Sequence, residues 1–348
     1  MDTVDFDFEL PDELIAQEPP AVRGDSRLLV LRRDGGQIEH TVFSRVADYL
    51  RRGDLLVLNN TKVFPARLLG RRLPSGGGVE CLLIKSLGGD QWDALMHPGQ
   101  KLKPGARVVF EGSSVRLQAE VVARHFHGRR TIRLWADEGI DVVAAIDRIG
   151  HVPLPPYIRR QDRPSDRDRY QTVYARERGS IAAPTAGLHF TDTLLDALAS
   201  LGVERAELTL HVGYGTFKPI RDARIEAHVV DPETLVVPAD TAAALTRARI
   251  EGRRIIAVGT TTVRALESLT VEGEGRIKPS MGEVQLFIRP GHEFRIVSGL
   301  ITNFHLPQSS LLVLVAAFAG RERILDTYRE AVARGYRFYS YGDAMLIL

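Results

Sequence analysis

The sequence predicts a mixed α/β main body with an inserted small all-β, barrel-like domain. Three observations lead there. Past residue 180 the chain alternates strand-like and helix-like segments. Between residue 67 and about residue 137 it breaks into short β-type runs separated by Gly- and Pro-rich turns. Ahead of those runs stands "LLVLNN" (55–60), an apolar stretch of the kind that lies buried within a sheet. The boundaries read as 1–66 and 151–348 for the main body and 67–150 for the insert.

The elements follow in order. "LPDELIAQ" (10–17) reads as a short helix, and Pro19 and Pro20 follow it. "SRLLVLRRDGGQIEHTVFS" (26–44) gives two strands around Asp34-Gly35, a dipeptide suited to tight hairpin turns. A helix, a turn at Gly53-Asp54 and the strand 55–60 come next. The insert holds "VECLLIKSL", "QWDALM", "ARVVF", "VRLQAEVVARHF" and "TIRLWA", divided by "PSGGG", "LGGD" and "KPGA". Short strands at near-regular spacing make a small sandwich or barrel. The linker after it is extended, because Pro153, Pro155 and Pro156 disfavour helix. Then "RAELTLHVG" is a strand and "TAAALTRARIEG" a helix. "RRIIAVGTTTVRALESL" reads as strand, turn and helix, with one of Thr260, Thr261 and Thr262 as its cap. "EFRIVSGLITNFHL" is strand-rich, "SSLLVLVAAFAG" and "RERILDTYREAVARG" are helices, and "YRFYSYGDAMLIL" ends in a strand.

Composition narrows the function. Apolar residues make up 44% and charged ones 26% of 348 residues, ordinary for a soluble globular protein. Net charge is +2, so nucleic-acid affinity would have to come from local basic clusters. The single cysteine, Cys81, rules out a disulfide within the chain and fits a reducing compartment. The acidic start "MDTVDFDFELPDELI" has no apolar core and does not read as a secretory signal. The longest apolar run, "LLVLVAAFAG", has about half the length that spans a bilayer. A cytoplasmic chain with no membrane partner is expected. P-loop, GxGxxG, HExxH and GxSxG motifs are missing, and the histidines lack ligand-like spacing, so no metal site is expected.

Five loops of one texture remain: "APTAGLHFT", "LHVGYGTFKP", "GTTTVRALES", "ITNFHLPQSS" and "RFYSYGDAM". Each follows or ends a strand-like run, and in open α/β sheets such loops gather around a ligand. Taken singly, each has a plainer reading. Thr191 caps a helix with Phe190 and Leu195 as its staple. Gly187, Gly213 and Gly215 serve turns with positive φ. A lone histidine beside apolar neighbours is a satisfied core residue. Together the loops point to one shared cleft. The linker adds Arg159, Arg160, Arg163, Arg167, Arg169, Arg176 and Arg178 against four acids, with Tyr157, Tyr170 and Tyr174 interleaved. Guanidinium forks suit phosphates and tyrosines stack on bases, although a solvated mixed-charge linker has the same composition.

Together with "DFELPDELIAQEP", "NNTKVFPARL", "PGQKLKPGARVVF", "GHVPLPPYI" and "YQTVYA", these strings resemble the S-adenosylmethionine:tRNA ribosyltransferase-isomerases of queuosine biosynthesis. The resemblance runs from about residue 5 to the C-terminus with the motif order kept. It implies an enzyme that moves and isomerises the ribosyl part of S-adenosylmethionine onto 7-aminomethyl-7-deazaguanine at the tRNA wobble position. Epoxyqueuosine-tRNA, adenine and methionine are its products. It also implies a monomer with a β-barrel insert, S-adenosylmethionine as co-substrate, tRNA as partner, and no tightly bound cofactor.

The sulfonium acidifies its neighbouring 5′ carbon, so a histidine base is expected, His189 first, then His305 or His211. Asp343, if protonated, or Thr185 would assist adenine departure. Asn303, Thr260, Thr261 and Thr262 would hold the ribose hydroxyls, and Arg264 the methionine carboxylate or a phosphate. Gly187, Gly213, Gly215 and Thr216 complete the expected substrate loops. Lys62, Arg67, Arg159, Arg160 and Tyr170 are the expected tRNA contacts. A non-catalytic tRNA-binding module and an S-adenosylmethionine-dependent RNA methyltransferase are the competing readings.

Overall fold

The computed structural model describes every residue except Glu138 and Lys218. One mixed nine-stranded sheet organises the body, in the spatial order Ser280–Val284, Glu233–Val237, Glu204–Leu210, Leu55–Asn59, Ile255–Val258, Gly299–Asn303, Ala344–Ile347, Arg27–Leu31, Glu39–Val42. Its four central strands, from Glu204–Leu210 to Gly299–Asn303, run parallel. Both faces are covered, which is why Leu55–Asn59 and Ile255–Val258 read as near-continuous apolar runs, whereas Glu204–Leu210 carries Glu204, Arg205 and Glu207 at its less buried positions. Leu29, Leu31, Leu55, Val57, Ile255 and Ala257 face a core that helices Ala239–Ile250, Thr260–Glu267, Ser310–Ala319 and Arg321–Ala333 complete. Leu28, Val30, Leu56, Leu58, Ile256 and Val258 face the other core, with Phe43, Phe190, Leu194 and Leu198.

Six strands between Arg67 and Ala136 close into an antiparallel barrel. Its core includes Leu68, Cys81, Met96, Phe110, Leu117 and Leu134, and helix Val142–Ile149 contributes Ala145 and Ile146 to it. Where the chain enters and leaves this unit, Arg67 and His151 exchange both backbone hydrogen bonds.

Three expectations differ in detail. Residues 10–17 hold only a 3-10 turn at Asp12–Leu14, because Ala16 N–H donates to Phe338 O and Phe338 N–H to Leu14 O, which keeps this stretch extended. The hairpin near residue 34 has a longer loop, since Arg27 pairs with Val42 and Val30 with Glu39. None of Thr260, Thr261 and Thr262 caps its helix. Gly259 holds the cap position at φ 91°, and the Thr262 hydroxyl turns back to Val258 O at 2.6 Å.

The linker is tied down by guanidinium groups. Arg167 donates to Asp147 O and Gly150 O at 2.9 and 2.6 Å, gripping the end of helix Val142–Ile149. Arg169 donates to Ala21 O and Pro20 O, and Arg23 reaches Gln171 O and Leu188 O. An irregular segment leaves carbonyls without ladder partners, and these forks satisfy them.

Candidate active site

Strand direction explains why distant loops meet. The four parallel strands deliver Asn60, His211, Gly259 and Phe304 to the same sheet edge. Ala344–Ile347 runs antiparallel to Gly299–Asn303, so the chain from Tyr339 to Asp343 enters at that edge too. Arg27–Leu31 lies parallel to Ala344–Ile347 and adds Ser26 there. Ligands in open α/β sheets bind outside such strand ends.

A narrow cavity of about 40 Å³ opens at this edge, lined by Tyr157, Thr185, Thr216, Thr260, Thr261, Asn303, His305, Tyr339 and Ser340 among others. Among the described residues its wall carries no lysine, arginine, aspartate or glutamate. The Thr261 hydroxyl is buried there without a hydrogen-bond partner, an acceptor and donor left available to a ligand. Tyr339 adopts φ 73°, sparsely populated for a non-glycine residue, and such conformations concentrate at functional sites. Its backbone is held on both sides, by Phe304 O and by the Asn303 amide.

The three histidines occupy different situations. His305 lines the cavity. Its Nδ1 lies 3.2 Å from the Tyr328 hydroxyl and its Nε2 3.3 Å from Thr302 Oγ1. The Tyr328 hydroxyl already accepts the His305 backbone N–H, so it is free to donate to Nδ1. Burial lowers the His305 pKa to about 3. His189 stands one layer back. Asn303 Nδ2 donates to its Nε2 at 3.0 Å, and its Nδ1 meets Ser26 Oγ at 2.7 Å. The Thr185 hydroxyl donates to Asn303 Oδ1, which fixes the orientation of that amide. Both nitrogens of His189, the expected first-choice base, are hydrogen-bonded, as those of His305 are, and through Nε2 it orients Asn303. Burial, only partly countered by the Asp343 charge, lowers its pKa to about 4. His211 is half-buried, bonded through Nδ1 to Thr61 Oγ1 at 2.8 Å, and its ring packs on the Gly179 backbone.

Buried neutral imidazoles carry a stability consequence. An unfolded histidine takes up a proton below about pH 6.5 while folded His189 does so only near 4, so acid favours the unfolded chain. The stability contribution is complete above about pH 6.5 and is lost as the pH falls toward 4. Urea midpoints measured from about pH 7 down to about pH 5 should decrease, and decrease less steeply in His189→Gln.

Asp343 is buried but not in the cavity wall. Its carboxylate accepts the backbone N–H groups of Arg27 and Arg337 and pairs with the Arg27 guanidinium at 3.0 Å.

Arg264 forms a buried ion pair with Glu233 at 2.9 Å and donates to Leu286 O, leaving Nη2 without a partner. Glu233 also accepts Gly213 N–H and the Thr216 hydroxyl, so the pair sets the loop that reaches the cavity. None of Gly187, Gly213 and Gly215 has positive φ, and Gly187 and Gly215 work through contact. A Cβ on Gly215 would stand 2.2 Å from Asp231 Oδ2, and one on Gly187 2.1 Å from the Tyr174 hydroxyl oxygen. Gly187→Ala should cost about 1–3 kcal/mol in denaturant unfolding, and adding Tyr174→Phe should recover part of it. Thr191 caps helix Asp192–Leu201 as expected, accepting Leu194 N–H at 3.1 Å.

The expected RNA contacts scatter. Lys62 is exposed. Arg67 is engaged by Glu80 at 2.7 Å and Arg159 by Asp12 at 2.9 Å. The Arg160 guanidinium is held bidentately by Asp166. Tyr170 is fully buried, so no base can stack on it; Tyr157 and Tyr174 are buried as well. The spaced tyrosines anchor the linker to the core. Ser26, Glu233 and Ser340 escaped sequence reasoning, because isolated polar residues beside strands carry no periodic signal.

A family model described as queuosine biosynthesis protein matches residues 3–347. An S-adenosylmethionine:tRNA ribosyltransferase-isomerase of Syntrophotalea carbinolica is 52% identical over 347 residues, covering 99% of each chain. The protein of that name in Caldanaerobacter subterraneus subsp. tengcongensis is 48% identical over 344 residues, again covering 99% of each. The crystal structure of an S-adenosylmethionine tRNA ribosyltransferase from Thermotoga maritima is 40% identical, has a TM-score of 0.56, and covers 99% of this chain and 100% of that one. On this full-length agreement, the chain belongs to the queuosine biosynthesis protein family.

Proposed function

We propose that this chain is the enzyme that transfers and isomerises the ribosyl moiety of S-adenosylmethionine onto 7-aminomethyl-7-deazaguanine at the tRNA wobble position. Epoxyqueuosine-tRNA, adenine and methionine leave. The carrying observation is full-length identity near one half to enzymes of that name. The charge-free cavity supports it, since a sulfonium is repelled by cations and welcomed by aromatic faces such as those of Tyr157 and Tyr339.

His305 is the base in this reading. At neutral pH it is uncharged. Taking the 5′ proton turns the sulfonium into a neutral ylide and the imidazole into a cation. The positive charge moves from sulfur to ring rather than being created, so the burial that depresses the empty-site pKa opposes the step far less. The ylide electron pair then forms a C4′–C5′ double bond as the C4′–O4′ bond breaks. The ring oxygen becomes the C1′ carbonyl oxygen as the C1′–adenine bond breaks, and adenine leaves with the proton that the His305 imidazolium returns. Asn303, held by His189 and Thr185, and the unpartnered Thr261 hydroxyl address the sugar oxygens. Arg264 Nη2 is the group for a carboxylate. The void of about 40 Å³ holds little more than a water, so seating the co-substrate requires the cavity to widen.

The division at 67–150, catalysis by the two flanking segments, action as a monomer and a cytoplasmic location belong to the same proposal. No helix among the described residues is long and apolar enough to cross a membrane. The deciding assay mixes protein, S-adenosylmethionine and tRNA bearing the deazaguanine. Adenine and methionine in equal amounts support the reading. S-adenosylhomocysteine instead indicates a methyltransferase, and binding without consumption a non-catalytic module.

A further inference from the structure

A larger concavity lies away from the cavity just described. It is an open groove of about 820 Å³ on the barrel, and its wall includes Phe126, His127, His97, Arg124 and, from the body, Tyr214. Phe126 is 89% exposed and Tyr214 37%, and they are the exposed aromatic side chains among the described residues. Both line this one groove. Solvent-facing aromatics cost hydration free energy, so their convergence from two separate parts of the chain marks a binding surface.

The loop that displays Phe126 is built rather than loose. His127 sits at φ 53° and Gly128 at φ 82°, two consecutive left-handed residues that turn the ring outward. Beneath them the Arg130 side chain is 1% exposed and donates to the carbonyls of Leu102, Gly99, Arg129 and His125. One guanidinium thus clamps the 99–102 turn to the 125–129 loop and sets both groove walls. Charge is one-sided. Arg124 is exposed and has no ion-pair partner among the described residues, whereas Glu80, the acid in the lining, is neutralised by Arg67. The groove is continuous with a second one of about 260 Å³ through Glu80, Leu82 and Tyr214, and that one reaches Ala182 and Pro156, next to cavity residues Ala183 and Tyr157.

We infer that the barrel groove is a nucleotide subsite. A base neighbouring the modified one in the RNA loop stacks on Phe126 while its phosphate meets Arg124, so that the target base points along the cleft toward Tyr157. Single-stranded RNA is recognised in this way, by aromatic platforms within a basic channel. The inference rests on the ribosyl-transfer reading, and its test separates the two.

The probe is an anticodon stem-loop RNA carrying 7-aminomethyl-7-deazaguanine, read both by adenine release with S-adenosylmethionine and by direct binding of the labelled RNA alone. Phe126→Ala should raise the RNA KM and the RNA Kd about tenfold or more, with kcat and the S-adenosylmethionine KM within about twofold of the parent. Phe126→Trp should restore both and Phe126→Leu should not, because a leucine buries area but offers no π face. Arg124→Ala should lower the slope of log Kd against log salt by about one phosphate contact. Unchanged RNA KM and Kd in Phe126→Ala overturn the subsite. A parent that binds the RNA but releases no adenine overturns the ribosyl-transfer reading, and the binding measurements still decide the groove.

Discussion

Replacing His305 by glutamine should slow single-turnover adenine release by about a hundredfold or more, the scale of a lost general base. Glutamine still offers a polar atom to Tyr328 and Thr302, so the neighbours lose little, but its amide cannot take a proton. S-adenosylmethionine affinity should stay within a few-fold, because the base acts on the transition state rather than on the bound ground state. His189→Gln should do less, since His189 touches the cavity only through Asn303. If His189→Gln proves the more damaging and His305→Gln turns over normally, the proton goes elsewhere and the assignment of His305 fails. Quench-flow measurement of adenine at saturating RNA reads both variants.

Glu233→Ala should be the most destabilising single change in the body, by about 3–5 kcal/mol in denaturant unfolding. The carboxylate and the Arg264 guanidinium are 3% and 7% exposed, so removing the acid strands a buried cation. Two further hydrogen bonds disappear with it, from Gly213 N–H and the Thr216 hydroxyl. A loss of this size approaches the total stability of many domains, so part of the population should be unfolded at ordinary temperature. Glu233→Gln, which keeps the two loop bonds and the shape, should lose less stability. A Glu233→Ala protein with parental unfolding midpoint and slope would show that the pair is solvated in practice.

Much of the fold was legible because burial on both faces leaves an unmistakable trace in sequence. Residues 55–58 and 255–258 are uninterrupted apolar runs, and the barrel strand Val115–Arg124 alternates between its turns. Where local signals misled, a long-range partner had won. "LPDELIAQ" has helix-forming residues, but hydrogen bonds to Phe338 draw it out straight. The convergence of His305, Asn303, Thr185 and the threonines could be anticipated from loops that follow strands, since strand direction is what gathers them. Which imidazole faces the cavity could not. His189 and His305 sit in similar sequence settings, and only the third dimension puts Asn303 between His189 and the void. Charge counting did not show that each arginine of the linker, read as a phosphate-binding run, also faces a carbonyl or a carboxylate within the protein.

Those same arginines set how the two halves of the molecule are joined. Arg167 grips two carbonyls at once where the barrel's helix ends, and a lysine there would keep the positive charge yet reach only one. The joint is thus a two-pronged elbow whose stiffness depends on planarity rather than on electrostatics. High salt should leave it firm, while a charge-preserving exchange should turn it into a hinge.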